Sequence, residues 1–521
     1  MIDRIETWTV AKPVVRGRHG LVAAQSVRAA EAGAEILAAG GNAVDAAVAT
    51  ALALTACEPW MSGLGGIGSM IVHTAADGAT HAVDFGPVAG SGVDPASYAL
   101  TGEAGRADLF GWPGVVGDRN VLGPSSIVVP GSVAGFGAAH ARFGRLPWRD
   151  LFGPAVRLAR EGLRVDWWTL LCIVGDAADL RRDPAADAIY LRDGLPPVPA
   201  STTAMPRLPL GALPDTLERL AAAGWADFYR GDLAAALAAD LADGGAPVRR
   251  DDLEAYAARI GAPLAIPRGD TVIHAMPGLY AGATLAAAIG ALPARFAEPE
   301  PGPETFGAVA RALAGAYADR LERMGAEEPG KGTTTHVAAV DADGNMVSLT
   351  NTLLSRFGAR VVLPRTGILM NNGMMWFDPR PGRPNSIAPG RRPLTNMCPV
   401  IATRGGRGRF ALGASGGRRI LPAVMQVATF LTDFGMALEA AFHRPRIDVS
   451  APDRATADHR LDPATLAAVA AAVPTTVVEP AVFPGNFANP IAVALTADGA
   501  EGMTNVTLPV AGVAGPVAGV A

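Results

Sequence analysis

Apolar positions recur at helical spacing from Leu21 to Cys57, and the break at Gly40-Gly41-Asn42 divides this Ala-rich run into two expected helices, both mostly buried. A glycine-dense loop, Ser62 to Ser69, then feeds a short apolar strand, Met70-Ile71-Val72-His73. Amphipathic helices are expected at Leu151 to Glu161, Leu213 to Ala223 and Leu233 to Leu241, and a Pro/Glu-rich loop at 291 to 304 leads into a helix from Thr305 to Met324. Gly325 to Gly332 reads as a linker between two halves. Beyond it the apolar period becomes alternating. Val337 to Asp341, a turn at Asp343-Gly344-Asn345 and Met346 to Thr350 predict a hairpin, with further strands at Gly367 to Met370, Phe410 to Gly413 and Ile491 to Leu495 and a helix from Arg418 to Phe434 between them. A helical first half and a strand-led second half, with helices covering the sheets, predict a layered α/β (α+β) fold without internal repeats.

The 521 residues suffice for a large core, in two lobes or one layered unit. Half are apolar and only 18% are charged, yet no stretch reaches the roughly 18 uncharged apolar residues of a membrane span; the longest candidate, Ala43 to Cys57, carries Asp45. A net charge of −5 supplies no basic surplus for nucleic acid or anionic membranes, so small molecules are the expected partners. Cys57, Cys172 and Cys398 lie far apart without CxxC, and the eight His show no paired ligand spacing, which points to neither a disulfide framework nor a metal site. Acidic residues within Met1 to Glu6, where a secretory leader would be basic and then apolar, make the cytoplasm the expected compartment.

The candidate chemistry sits at Thr333-Thr334-Thr335-His336, behind the Gly/Pro/Lys-rich linker and at the head of the first hairpin strand. A chain cut before Thr334 would give that residue a free α-amine able to act as general base on its own hydroxyl, with no distant His required. The same residues also read as a Thr-rich loop entering a strand.

Three other glycine-rich patterns offer rival chemistry. Gly325, Gly330 and Lys331 have the spacing of a phosphate loop, but Gly332 stands where Ser or Thr should be, and a helix precedes and a strand follows, the reverse of what cradling phosphate needs. The Gly-rich loop at 62 to 69 fails as a dinucleotide fingerprint for the same reason of order. Gly413-Ala414-Ser415-Gly416-Gly417 fits G-x-S-x-G between a strand and a helix, with Asp448 and His459 following in α/β-hydrolase order. It also reads as a plain turn, or as a turn presenting the N–H groups of Gly416 and Gly417 to an oxyanion formed by attack from Thr334.

With these residues in view the chain resembles the gamma-glutamyltransferase (glutathione hydrolase) family of N-terminal nucleophile hydrolases. The resemblance rests on Ala39 to Ala47 (AGGNAVDAA), Gly63-Leu64-Gly65-Gly66, Pro130 to Phe136 (PGSVAGF), Thr334-Thr335-His336, Asp343-Gly344-Asn345, Asn371-Asn372, Arg392-Pro393-Leu394 and Ser415-Gly416-Gly417, in that order. It implies a four-layer αββα sandwich, and a proenzyme that cleaves itself before Thr334 into pieces 1–333 and 334–521 that stay packed together. It further implies Thr334 as nucleophile, Thr352 as its hydrogen-bonding partner, Gly416 and Gly417 as oxyanion hole, and no cofactor.

The departures from the family pattern concern the acyl pocket. Where the family grips a glutamyl zwitterion with Arg, Asn, Gln, an acidic residue and paired serines, this chain carries Gly86, Leu354, Gly373, Trp376, Thr395 and Asn396. An unpaired desolvated charge costs about 3–5 kcal/mol, so gamma-glutamyl specificity is not expected. Leu354, Met374, Met375 and Trp376 suggest an apolar pocket, in which Arg356 or Arg360 could meet a carboxylate. Family branches with altered pockets are similar to cephalosporin acylases and an oxamate amidohydrolase, and a small intracellular amide is the expected substrate. Alternatives are a gamma-glutamyltransferase or cephalosporin-type acylase, a serine hydrolase using Ser415, and an uncleaved binding relative without catalysis.

Overall fold

The computed structural model describes residues 9–105, 112–199, 201, 203–324, 333–483 and 485–516; the expected linker and the phosphate-loop spacing within it lie outside the described residues. In chain order the elements that build the two main sheets and their flanking layers begin with β1 (Val15–Gly17), β2 (Gly20–Ala24), α1 (Val27–Ala38), α2 (Ala43–Cys57), β3 (Ile67–Thr74) and β4 (Ala79–Phe85). Next come α3 (Trp167–Leu180), β5 (Arg259–Gly261), β6 (Leu264–Arg268), β7 (Thr271–Ala275) and α4 (Pro303–Met324). The second half adds β8 (Thr333–Asp341), β9 (Met346–Leu354), β10 (Val400–Arg404), β11 (Arg407–Ser415), α5 (Ile420–Thr432), β12 (Asn489–Thr496), β13 (Gly499–Thr504) and β14 (Gly512–Ala514).

These strands form two antiparallel seven-stranded sheets, one in the order β1-β13-β12-β11-β10-β7-β6 and the other β14-β2-β8-β9-β3-β4-β5. Residues alternate across each strand, and on β8 the alternation sorts the core. Ala338 and Val340 join the apolar cluster between the sheets, whereas Val337 and Ala339 join the cluster formed with α1 and α2. A third cluster packs α4 and α5 on the outer face of the other sheet. The result is the expected αββα sandwich.

Local chemistry explains the flanking layer. Asn42 accepts from the N–H groups of Val44 and Asp45 while Asp45 accepts from the N–H of Asn42, a reciprocal cap that starts α2. Ala, Val and Leu on every face then bury almost the whole helix. The expectation of helix from Leu21 onward is corrected, because Gly20–Ala24 is a strand paired with β8. Its apolar run is too short for periodicity to separate a buried strand from a buried helix. The first half is also less purely helical than its pattern suggests, since it supplies β1 to β7. Among the described residues no helix is long and apolar enough to cross a membrane.

Candidate active site

The candidate nucleophile sits at a break in the central ladder. Thr333 pairs with Leu354 but Thr335 pairs with Asn351, so the register shifts across Thr334, a bulge that sets this residue apart from regular pairing. Thr334 is 4% exposed, and its Oγ1 donates to Oγ1 of Thr352 at 3.4 Å. The Thr352 oxygen also accepts the N–H of Leu354 at 2.8 Å, and Leu354 takes a φ of +85° to make that contact. Phe357 and Arg360 also have positive φ, so three non-glycine residues hold left-handed backbone in the segment after β9. Such strain concentrates where surrounding structure fixes a functional geometry.

Thr334 and Thr335 face opposite ways. His336, on the Thr334 side, lies against Gly413 of the other sheet so closely that a Cβ there would meet the imidazole at 2.2 Å. Its Nδ1 bonds Thr350 and its Nε2 meets Ser348, and full burial pushes its pKa down to about 3, so it is a neutral packing residue. On the helix side, Thr335 Oγ1 donates to Glu58 Oε2 at 2.9 Å, just past the end of α2. Burial pushes the Glu58 carboxyl from 4.5 up to about 8, while the Thr335 hydrogen bond opposes the shift.

That shift has a testable sign. The folded protein keeps a proton on Glu58 that the unfolded chain releases above about pH 4.5, so this stabilisation is complete below that pH and is lost as pH rises to about 8. Glu58→Gln is expected to remove that fall, on the order of a few kcal/mol, from the stability–pH profile. Urea unfolding at stepped pH checks it, and an unchanged slope in the variant contradicts the assignment.

The turn after β11 lies over the same end of the hairpin. Ala24 pairs with Val337, and the next residue, Gln25, donates through Nε2 to Oγ of Ser415. Asn489 Nδ2 also donates to that oxygen, at 3.4 Å. Gly416 has φ +133° and Gly417 φ +61°, and α5 follows one short 3₁₀ turn, Gly417–Arg419, so backbone N–H groups gather here at a helix start. The serine-hydrolase arrangement is not assembled. Two amide donors hold Ser415, whereas Asp448 accepts from Ser450 and His459 lies 3.7 Å from Asp458. An amide N–H cannot take a proton from a serine.

The expected acyl-pocket residues fall into different roles. Leu354, Met374, Met375 and Trp376 are all buried in the cluster between the sheets. Gly373 is packed so tightly that a Cβ would lie 2.4 Å from Val128, leaving no room for a longer side chain. Beside Gly86, a Cβ would meet the Tyr280 hydroxyl at 2.5 Å and the Arg392 guanidinium at 3.3 Å, and Arg392 is itself bidentate to Asp84 at 2.6 and 2.8 Å. Arg356 and Arg360 both hold Asp176 of α3, at 2.9 Å each, which ties the segment after β9 to the first half of the chain. Thr395 and Asn396 sit over buried Arg320 of α4, which donates to the Thr395 carbonyl and Asn396 Oδ1. Thr395 Oγ1 and Asn396 Nδ2 are buried without a hydrogen-bond partner among the described residues.

The Gly-rich loop packs against the second half. A Cβ at Gly65 would meet the Leu369 carbonyl at 2.3 Å, and one at Gly66 the Thr352 carbonyl at 2.7 Å. Asn371 clamps the same loop, donating to the Gly65 carbonyl at 2.7 Å. Sequence reasoning missed Gln25, Glu58 and Asn489. For Glu58 a signal existed, a lone acid closing the apolar run Ala43 to Cys57; for the other two no local pattern pointed to Ser415.

The profile of the family described as Gamma-glutamyltranspeptidase matches residues 29–329 and 323–506. Acylase ACY 1 proenzyme from Pseudomonas sp. strain V22 is 35% identical over 491 residues, covering 86% of this chain and 85% of that protein. The glutathione hydrolase proenzyme of Escherichia coli strain K12 is 29% identical over 519 residues, covering 87% and 85%. Among solved structures, cephalosporin acylase from Bacillus halodurans superposes with a TM-score of 0.82 over 100% of both chains at 24% identity, which shows a shared fold.

Proposed function

Because the chain belongs to the gamma-glutamyltranspeptidase family, we propose that it is a self-processing amidohydrolase whose nucleophile, released by cleavage before Thr334, is the Thr334 hydroxyl. The observation that carries this reading is the contact of Thr334 Oγ1 with Thr352 at the register break of β8. In the cleaved protein the α-amine of Thr334 takes the Oγ1 proton, and the oxygen attacks the amide carbonyl. The N–H groups at Gly416 and Gly417 receive the oxyanion, the amine or ammonia leaves with the proton, and water hydrolyses the ester. Transfer to an amine instead of water is the family's other outcome. Cys57, Cys172 and Cys398, far apart and free, suit the cytoplasm as its compartment.

The proposed substrate is a small non-glutamyl amide, with oxamate the named candidate. Against a glutamyl group stand the filled space at Gly86, the neutralised Arg392 and the apolar residues Leu354 and Trp376. A second reading, an acylase for larger apolar acyl groups, is favoured by that apolar lining and by the 35% identity to a protein named as an acylase. A screen of oxamate, gamma-glutamyl-p-nitroanilide and aliphatic acyl-p-nitroanilides separates the readings. The gamma-glutamyl substrate is expected to trail the best substrate in kcat/KM by about 10²–10⁴-fold, the equivalent of one unpaired buried charge. Gamma-glutamyl turnover exceeding the others would overturn this pocket reading.

Ser415→Ala is expected to retain self-cleavage and to keep turnover within about tenfold, while the amides of Gln25 and Asn489 lose their shared acceptor at a cost of about 1–3 kcal/mol. Gel analysis, steady-state rates and urea unfolding test this together. Loss of both cleavage and turnover in a folded variant would restore the serine reading.

A further inference from the structure

Thr335, the residue after the proposed nucleophile, is tied to the first half of the chain. It is the first residue of β8 to regain regular pairing beyond the register break, opposite Asn351. Its side chain turns toward α2, and the donation to Glu58 at 2.9 Å is the one side-chain hydrogen bond it makes among the described residues. Neither partner is open to solvent, Thr335 being 0% and Glu58 1% exposed.

The helix that ends at Glu58 reaches the far end of the same strand as well, where the Ala43 N–H donates to Asp341 Oδ2 at 3.0 Å. The lengths agree: the 15 residues of α2 rise about 22 Å, and the strand from Thr335 to Asp341 covers about 20 Å. α2 therefore lies along β8 and holds it at both ends. Beyond Glu58 the chain also grips β9. The Met61 carbonyl accepts the N–H of Leu353 at 3.0 Å, and Gly66 packs on the Thr352 carbonyl. One short segment, 58 to 66, thus bears on the surroundings of both Thr334 and Thr352.

Self-cleavage before Thr334 makes a strict geometric demand. Thr334 Oγ1 must form an ester with the carbonyl carbon of Thr333 as the Thr333–Thr334 C–N bond breaks, the hydroxyl proton passing to the departing amine; water then hydrolyses the ester and restores the hydroxyl. In such a step a misplacement of about 1 Å costs on the order of 10²-fold. Resting on the reading that Thr334 performs this cleavage, we infer that Glu58 is a positioning residue for it: by holding Thr335 from the helix side, it fixes the backbone that aims Thr334 Oγ1 at the Thr333 carbonyl. Glu58 acts as a neutral hydrogen-bond acceptor and not as a base. Burial raises its pKa to about 8, so it keeps its proton at neutral pH, and it contacts the strand face opposite Thr334.

The test is the rate at which the full-length chain, made by cell-free synthesis and stopped in denaturant at intervals, divides into two pieces. Glu58→Leu and Thr335→Val are each expected to slow cleavage at least about tenfold, whereas Glu58→Gln and Thr335→Ser, which keep the hydrogen bond, stay within about threefold of the unmodified chain. The double variant Glu58→Leu/Thr335→Val is expected to be no slower than the slower single one, because both remove the same bond; independent losses of stability would multiply. Circular dichroism confirms folding, and either single variant decides the matter if the other does not fold. Unmodified rates in folded Glu58→Leu or Thr335→Val, a Glu58→Gln chain as slow as Glu58→Leu, or slowing that multiplies in the double variant would each overturn this role while leaving cleavage at Thr334 intact. An unmodified chain that stays uncut would overturn the cleavage reading itself, and this inference with it.

Discussion

Thr334→Ala is expected to leave the chain uncut at 53.2 kDa and to lower amide turnover on the order of 10⁴-fold or more, while Thr334→Ser retains both cleavage and measurable turnover. The expectation follows from a site in which one residue has two jobs. In the proposed mechanism its hydroxyl attacks, and its own amine, created by cleavage, is the base. His336 cannot replace that base: both ring nitrogens are engaged, and burial keeps the ring neutral. Removing the hydroxyl therefore removes nucleophile and processing together. Folding should survive, because Thr334 spends its hydroxyl on Thr352 at a long 3.4 Å and Thr352 keeps its shorter bond from Leu354. Processing and turnover by a folded Thr334→Ala protein would transfer the chemistry elsewhere.

Gly416→Ala carries the second large effect, a fall in kcat/KM of about 10²–10³-fold, the loss expected when one oxyanion donor is misplaced. At φ +133° the backbone is outside what L-residues ordinarily adopt, and a Cβ there would lie 3.0 Å from both Cα and Cβ of Ala488. The turn must shift to admit the methyl, moving the N–H groups proposed to face the developing charge. Gly435→Ala is the control. That glycine is exposed at φ +60° with open space around it, so the substitution is expected to cost stability of about 1–2 kcal/mol and leave turnover unchanged. Circular dichroism confirms folding in each case. Equal kcat/KM for the two variants would remove Gly416 from the oxyanion hole.

The parts legible in the sequence are those encoded locally. Val337 to Asp341 and Met346 to Thr350 alternate around Asp343-Gly344-Asn345, and they emerge as β8 and β9 in the middle of one sheet. Leu213–Ala223 appears as a helix with the expected bounds because its apolar stripe and its flanking glycine are both in the chain. By contrast, Leu21 to Ala24 looks helical beside the Ala-rich run that follows, and only its pairing with β8 makes it a strand. The same limit governs the site. Thr334, Thr352, Gly416 and Gly417 could be singled out from spacing and resemblance, but the partners that set their surroundings come from distant segments. Arg356 is the clearest case. As a residue it suits a substrate carboxylate, yet Asp176, far upstream, occupies it in the fold. Glu58 under Thr335 and Gln25 on Ser415 are likewise long-range contacts that no local period encodes.

The intact mass of freshly purified protein under denaturing conditions, with N-terminal sequencing of any fragments, tests the central claim most directly. The account predicts two pieces of about 34 and 19 kDa, from sharing 53.2 kDa by residue number, with Thr334 as the new N-terminus. A single uncut chain that nonetheless hydrolyses an amide, or a cut that leaves Thr334 internal, would contradict it, because no free amine would then stand beside the hydroxyl.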